Sequence, residues 1–206
     1  MKFINYFLIL TLVSFSQSII CQETNDSTDE RHFKLGVQAM TLVVHTFKTG
    51  HPERYDLRLD KHGYTVFIPG IVVNADWYFW KEKPKMQLRF AGGWYKDSGF
   101  NNAGYVHAAI RRDFFKKEGR KWYLIAGLGP AFFMRDNWNY IYPGRVLDPF
   151  YGDRVTKNGL YQYRFFPVGG EIDFTAELND KWDLNFSMVP GAPAAIIFKF
   201  GLRCQL

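Results

Sequence analysis

The chain has 206 residues, enough for one domain, with a formal net charge of +6 and aromatic residues at 18%. It shows no metal-ligand spacing, no phosphate-binding loop and no nucleic-acid motif, which argues against metalloenzymes, nucleotide-dependent enzymes and nucleic-acid binders; no cofactor is expected. A basic balance on an exported chain points instead to an anionic surface such as lipopolysaccharide.

Residues 1–21 read as a secretory signal peptide. Lys2 supplies the positive start and Phe7–Val13 the apolar core. That core is too short to span a bilayer, which needs about 20 residues. Cleavage is expected near Cys21. Ile20 stands where a lipoprotein signal wants a small residue. Loss of Cys21 would leave Cys204 alone, so no intrachain disulfide is expected. Residues 22–32 form a polar leader and residues 33–206 the folded domain.

Eight strand candidates follow: Phe33–Phe47, Tyr64–Trp80, Met86–Lys96, Gly104–Phe115, Trp122–Met134, Tyr161–Leu178, Trp182–Pro190 and Ala195–Leu206. The last is the clearest. Ile196, Phe198, Phe200, Leu202, Cys204 and Leu206 alternate with Lys199, Gly201, Arg203 and Gln205, the period-two pattern of a strand with one apolar and one polar face. Short charged turns (81–85, 116–121, 179–181) alternate with generally longer connections (49–63, 97–103, 135–160, 191–194). No later run is long and apolar enough for a transmembrane helix, and without helices a chain crosses a membrane only as a closed barrel. The pattern predicts an all-β fold: an eight-stranded antiparallel transmembrane β-barrel of the bacterial outer membrane, with both termini at the periplasmic end. A closed sheet has no edge to pair, so a monomer is expected.

Parity divides the interior. Gln87, Arg89, Glu171, Asp173, Glu177, Asp183, Asn185, Ser187, Lys199, Arg203 and Gln205 face in low down, as a self-pairing charged plug. Ala91, Gly93, Phe165, Pro167, Val189, Ala195 and Ile197 face in higher up. An apolar upper lumen lined by small residues leaves room for an acyl chain; the plainer reading is a small barrel filled by its own side chains.

Near the outer rim stand His45, Asp97 and Ser98. A His, an Asp and a Ser suit acyl transfer, with imidazole as base, carboxylate as its orienter and hydroxyl handling the acyl group. Adjacent strand residues point to opposite faces, so Asp97 and Ser98 share a site only if the strand has already broken into loop, as Gly99 favours. His45 shares parity with Phe33, Leu35 and Val37 on the lipid face, and reaches the site only if a bulge turns it inward.

Three segments carry a resemblance: Arg135-Asp-Asn-Trp-Asn-Tyr-Ile141 after Gly127-Leu-Gly129, then Tyr95-Lys-Asp-Ser98, then Val189-Pro-Gly191 before the alternating last strand. In order and approximate spacing, from about Pro69 to the C-terminus, the chain resembles the lipid A palmitoyltransferases, the PagP-type outer-membrane acyltransferases. The resemblance implies a barrel that holds a phospholipid acyl chain in its outer lumen and moves palmitate from a glycerophospholipid donor to lipid A of lipopolysaccharide. It maps the family's catalytic Asp and Ser onto Asp97 and Ser98, and its His onto His45. A rival alignment puts Asn74 in the His position but leaves too few residues before Asp97 for the strands required. Pro167 and Pro190 resemble prolines that interrupt inter-strand hydrogen bonding and open a lateral gap to lipid; Pro69 resembles one of the pair at the other gap, without its partner on the first strand. The chain departs from the family in lacking an amphipathic helix before the first strand and in a longer loop, 142–160. The alternatives are a non-enzymatic lipid-binding or structural barrel, and an esterase that removes acyl chains from lipid A.

Overall fold

A computed structural model describes residues 33–45, 56–79, 86–115, 121–138, 155–191 and 195–206. The signal peptide, the leader and most of loop 142–160 lie outside the described residues. Eight strands follow in chain order: β1 (Phe33–His45), β2 (Thr65–Trp77), β3 (Met86–Lys96), β4 (Asn102–Phe114), β5 (Trp122–Asp136), β6 (Tyr161–Glu177), β7 (Trp182–Gly191) and β8 (Ala195–Gln205). Each pairs antiparallel with the next, and β8 returns to β1, closing the barrel.

Side chains sort as they would in a bilayer. Trp94, Leu128 and Val168 are 65%, 64% and 67% exposed on the outer surface, while Arg89, Asp76, Asp173 and Arg203 are fully buried inside. A soluble protein buries the first kind and solvates the second. An apolar exterior around a charged interior is the arrangement of a transmembrane barrel, with hydrocarbon where water would otherwise be.

Among the described residues, the lower interior holds five cations (Lys34, Arg89, Arg111, Lys199, Arg203) and five anions (Asp76, Asp113, Glu171, Asp173, Asp183), all buried. Asp76 is the hub. Arg89 donates from Nε at 2.6 Å and from a terminal nitrogen at 2.7 Å, Arg203 at 3.0 Å and Arg111 at 3.2 Å. Arg111 also pairs with Asp173, and Lys34 with Asp183 at 2.8 Å. Buried charge is tolerable only when paired, and here the signs balance. Parity found much of this plug but missed Asp76, Arg111, Asp113 and Lys34.

Above the plug the interior turns apolar: Met40, Val43, Val66, Ile68, Val72, Ala91, Tyr95, Tyr105, Phe133 and Ile197 form one cluster, with Phe166 and Val189 against it. Two expectations need correction. The lining is aromatic as well as small, since Tyr105 stacks on Phe133 at 5.5 Å and Phe166 meets Phe133 edge-on. Phe165 faces out, 56% exposed, and Pro167 is exposed too. The register slips between Gly129–Gly169 and Ala131–Phe166, giving β6 one extra residue, and inward positions switch from odd to even above it.

Cys204 is buried near the end of β8; Cys21, and the cleavage expected near it, lie outside the described residues.

Closure between β8 and β1 depends on Gly201. A Cβ there would land on the carbonyl oxygen of Val37 and the Cα of Gln38, both backbone. Gly201→Val is expected to cost about 1–3 kcal/mol through forced backbone shifts, read as a lower urea midpoint of the refolded barrel.

Candidate functional site at the outer rim

The first requirement is that His45 turn inward, and β1 supplies the means. Met40 pairs with Lys199 and Leu42 with Phe198, so Thr41 is an extra residue against β8. Inward positions are even up to Met40 and odd from Val43. The bulge carries His45, at the top of β1, to the site: its Nε2 stands 3.5 Å from Ser98 Oγ. Asn74, the rival for the His role, is buried in the lumen and donates to Gln38.

Strand β3 ends at Lys96, so Asp97 and Ser98 do lie in a turn. Asp97 N–H donates to the Asn101 carbonyl, and Phe100 N–H to that of Asp97. Oδ1 of Asp97 accepts from the amides of Gly99 at 3.0 Å and Asn101 at 2.9 Å. Such a side-chain-to-backbone loop is the usual work of an aspartate in a turn. Phe100 takes a positive φ of 60°, a strained conformation for a bulky residue, which the turn's hydrogen bonds enforce.

The other carboxylate oxygen faces β5. Oδ2 accepts from the Trp138 indole Nε1–H at 2.6 Å and lies 3.8 Å from the Arg135 guanidinium. Among the described residues, the hydrogen bonds of Asp97 go to Trp138 and its own turn, with none to His45. Arg135 is itself held: Nε donates to Gln162 Oε1 at 3.0 Å, and the guanidinium lies 4.2 Å over the Trp138 ring. Gln162 Oε1 also accepts from Trp138 N–H at 3.3 Å. Burial pushes the Asp97 carboxyl above its ordinary range, against the pull of Arg135, the Asn101 and Gly99 amides and the indole. A raised carboxyl contributes stability while protonated, and that contribution is lost as pH rises through the shifted value.

The sequence marked Arg135 and Trp138 only as part of a motif, without roles. What was missing is that the end of β5 stands beside the β3–β4 turn, as the Ala103–Arg135 pairing shows.

The prolines stand where ladders stop. Among the described residues, β6–β7 pairing ends at Ile172–Met188, leaving Pro167 and Pro190 beyond it. Pairing of β2 with β3 ends at Gly70–Tyr95, next to Pro69. There the edge is covered: Phe67 N–H donates to the Leu57 carbonyl, Leu59 N–H to that of Thr65, and Arg58 bridges Val66. Odd β2 residues thus turn their polar groups toward this edge, and Pro69, also odd, has no N–H to offer. The return turn is tied by Asp60, which accepts from the amides of Thr65, Tyr64 and His62.

No protein-family model and no curated protein matches the sequence. Solved structures do. Neisserial surface protein A (NspA) aligns over 86% of this chain and 98% of its own at 7% identity, with a TM-score of 0.50. Ail, the attachment invasion locus protein of Yersinia pestis, aligns over 86% and 99% at 10% identity, TM-score 0.46. OprG of Pseudomonas aeruginosa aligns over 86% and 97% at 8% identity, TM-score 0.45. At 7% identity the NspA likeness speaks to fold alone, and with the closed sheet and the inverted burial it makes this chain an eight-stranded outer-membrane β-barrel.

Proposed function

We propose that the protein is an outer-membrane acyltransferase that moves a fatty acyl chain, palmitoyl by resemblance, from a glycerophospholipid to lipid A or a related outer-leaflet lipid. The observation that carries this reading is the approach of His45 Nε2 to Ser98 Oγ, 3.5 Å apart at the rim. Separation of base and hydroxyl at this length is ordinary without substrate and shortens on binding. Ser98 Oγ attacks the donor ester carbonyl while His45 takes its proton. The tetrahedral adduct collapses, the lysophospholipid oxygen leaves with that proton, and the acyl group stays as an ester on Ser98. A lipid A hydroxyl then attacks, its proton passes to His45, and the new ester departs as Ser98 regains a hydrogen. The acyl tail points into the apolar cluster below, and the interrupted β6–β7 ladder gives lipid a lateral way in.

If the gap is the route, restoring backbone donors narrows it. Pro167→Ala with Pro190→Ala is expected to slow transfer several-fold while leaving the barrel folded, measured as an initial rate in micelles.

One observation favours a non-enzymatic barrel: Tyr105, Phe133 and Phe166 pack against one another inside the upper lumen, occupying space a ligand would use. Mass spectrometry of lipid A from cells with and without the protein separates the readings. Transferase predicts a gain of one palmitoyl group, a structural barrel no change, and an esterase a loss.

A further inference from the structure

We infer that Asp97 is a positioning residue that acts on Ser98 through its own turn, clamped by Trp138 and Arg135, and does not orient the His45 imidazole. The inference rests on the acyl-transfer reading of the rim but concerns a division of labour that the His-Asp-Ser resemblance does not contain. Both carboxylate oxygens are occupied elsewhere. Oδ1 closes the Asp97–Asn101 turn through two amides, and Oδ2 takes the indole hydrogen of Trp138 at 2.6 Å. Trp138 is fixed in turn by its backbone bond to Gln162 and by the Arg135 guanidinium over its ring.

The clamp joins three pieces of the rim. Asp136, between the two clamp residues, accepts from the backbone and side-chain amides of Asn102 at 3.0 and 3.1 Å, at the far end of the same turn. Asn137 reaches the other way, donating from its side chain to the Gly159 carbonyl at 2.6 Å. The segment Arg135–Trp138 therefore fixes both ends of the Ser98 turn relative to the base of the β5–β6 connection. Ser98 Oγ is placed by a turn that Phe100 would not adopt unaided, given its positive φ. Holding a strained turn by hydrogen bonds from outside is how a rim loop keeps a hydroxyl aimed at a base on another strand.

The two roles separate by experiment. Asp97→Asn keeps an acceptor for the turn amides but presents N–H groups to the indole N–H, and Trp138→Phe keeps the ring and removes the indole donor. The clamp predicts that each lowers the plateau transfer rate by about 10- to 100-fold, as expected for a misplaced reacting group. The double variant is then no worse than the poorer single, because both break one bond. The acid limb of the pH–rate profile, which reports the base, stays in place in all three. A second readout needs no turnover: NMR titration of the His45 imidazole in micelles is expected to give the same midpoint in wild type and Asp97→Asn. A midpoint or acid limb displaced to lower pH in Asp97→Asn would overturn the inference, since removing an orienting carboxylate disfavours imidazolium. So would a Trp138→Phe variant with wild-type rate beside an impaired Asp97→Asn. Should Trp138→Phe fail to fold on heat-modifiability gels, Asp97→Asn decides alone. A wild-type protein without transferase activity removes the acyl-transfer reading, while the titration still judges whether Asp97 acts on His45.

Discussion

Purified His45→Ala and Ser98→Ala barrels are expected to migrate as folded species on unheated gels and to transfer acyl groups about 10²–10⁴-fold more slowly than wild type. The folding half of this expectation follows from position. Both residues are only half-buried at the rim, above the apolar cluster and well away from the charge plug. Neither residue belongs to the buried charge plug. The kinetic half follows from the chemistry: without the imidazole the serine hydroxyl has no base, and without the hydroxyl the imidazole has no nucleophile to activate. The double variant is expected to be no worse than the poorer single, because the two act as a unit. Rates unchanged in both singles would remove them from the mechanism.

Asp76→Ala is expected to destabilise the barrel by about 3–5 kcal/mol, the usual result of removing one partner from a buried ionic network. The variant would leave Arg89, Arg111 and Arg203 short of a shared anion in an interior where each is fully buried. Asp136→Ala provides the contrast. Its carboxylate accepts from exposed Asn102 at the rim, and losing such a bond is expected to cost no more than about 1 kcal/mol. Urea unfolding of the two refolded variants, followed by gel migration, measures the difference. Equal midpoints would mean that the plug contributes little to stability.

The strand set was legible because β-barrels write a period-two pattern, and the eight segments read from sequence overlap the eight observed throughout. Facing was legible only as far as parity held. On β8 it held from Ile197 to Arg203. On β6 it failed above the bulge, so Phe165 was placed inside and Phe166 takes that position. On β1 the same kind of irregularity worked the other way: strict alternation put His45 on the lipid face, and the extra residue at Thr41 turns it in. The β1 bulge at Thr41 has no Gly or Pro to mark it, so the expectation for His45 was met only conditionally. The β6 bulge falls within Phe166–Gly169, where Pro167 and Gly169 did mark it and strict parity passed over them. Arg111 and Asp113 were legible and overlooked, since β4 alternates His107, Ala109, Arg111, Asp113 on one face. The Trp138–Asp97 bond was not legible, because it joins loops 41 residues apart and depends on β5 lying beside β4.

Acyl transfer at the rim is tested most directly with the purified barrel, a palmitoyl glycerophospholipid and lipid A in mixed micelles, both products being weighed. The expected result is palmitoylated lipid A and lysophospholipid in equal amounts, with neither formed by Ser98→Ala. A folded wild-type barrel that yields neither product, or a Ser98→Ala barrel that yields both at the wild-type rate, contradicts it.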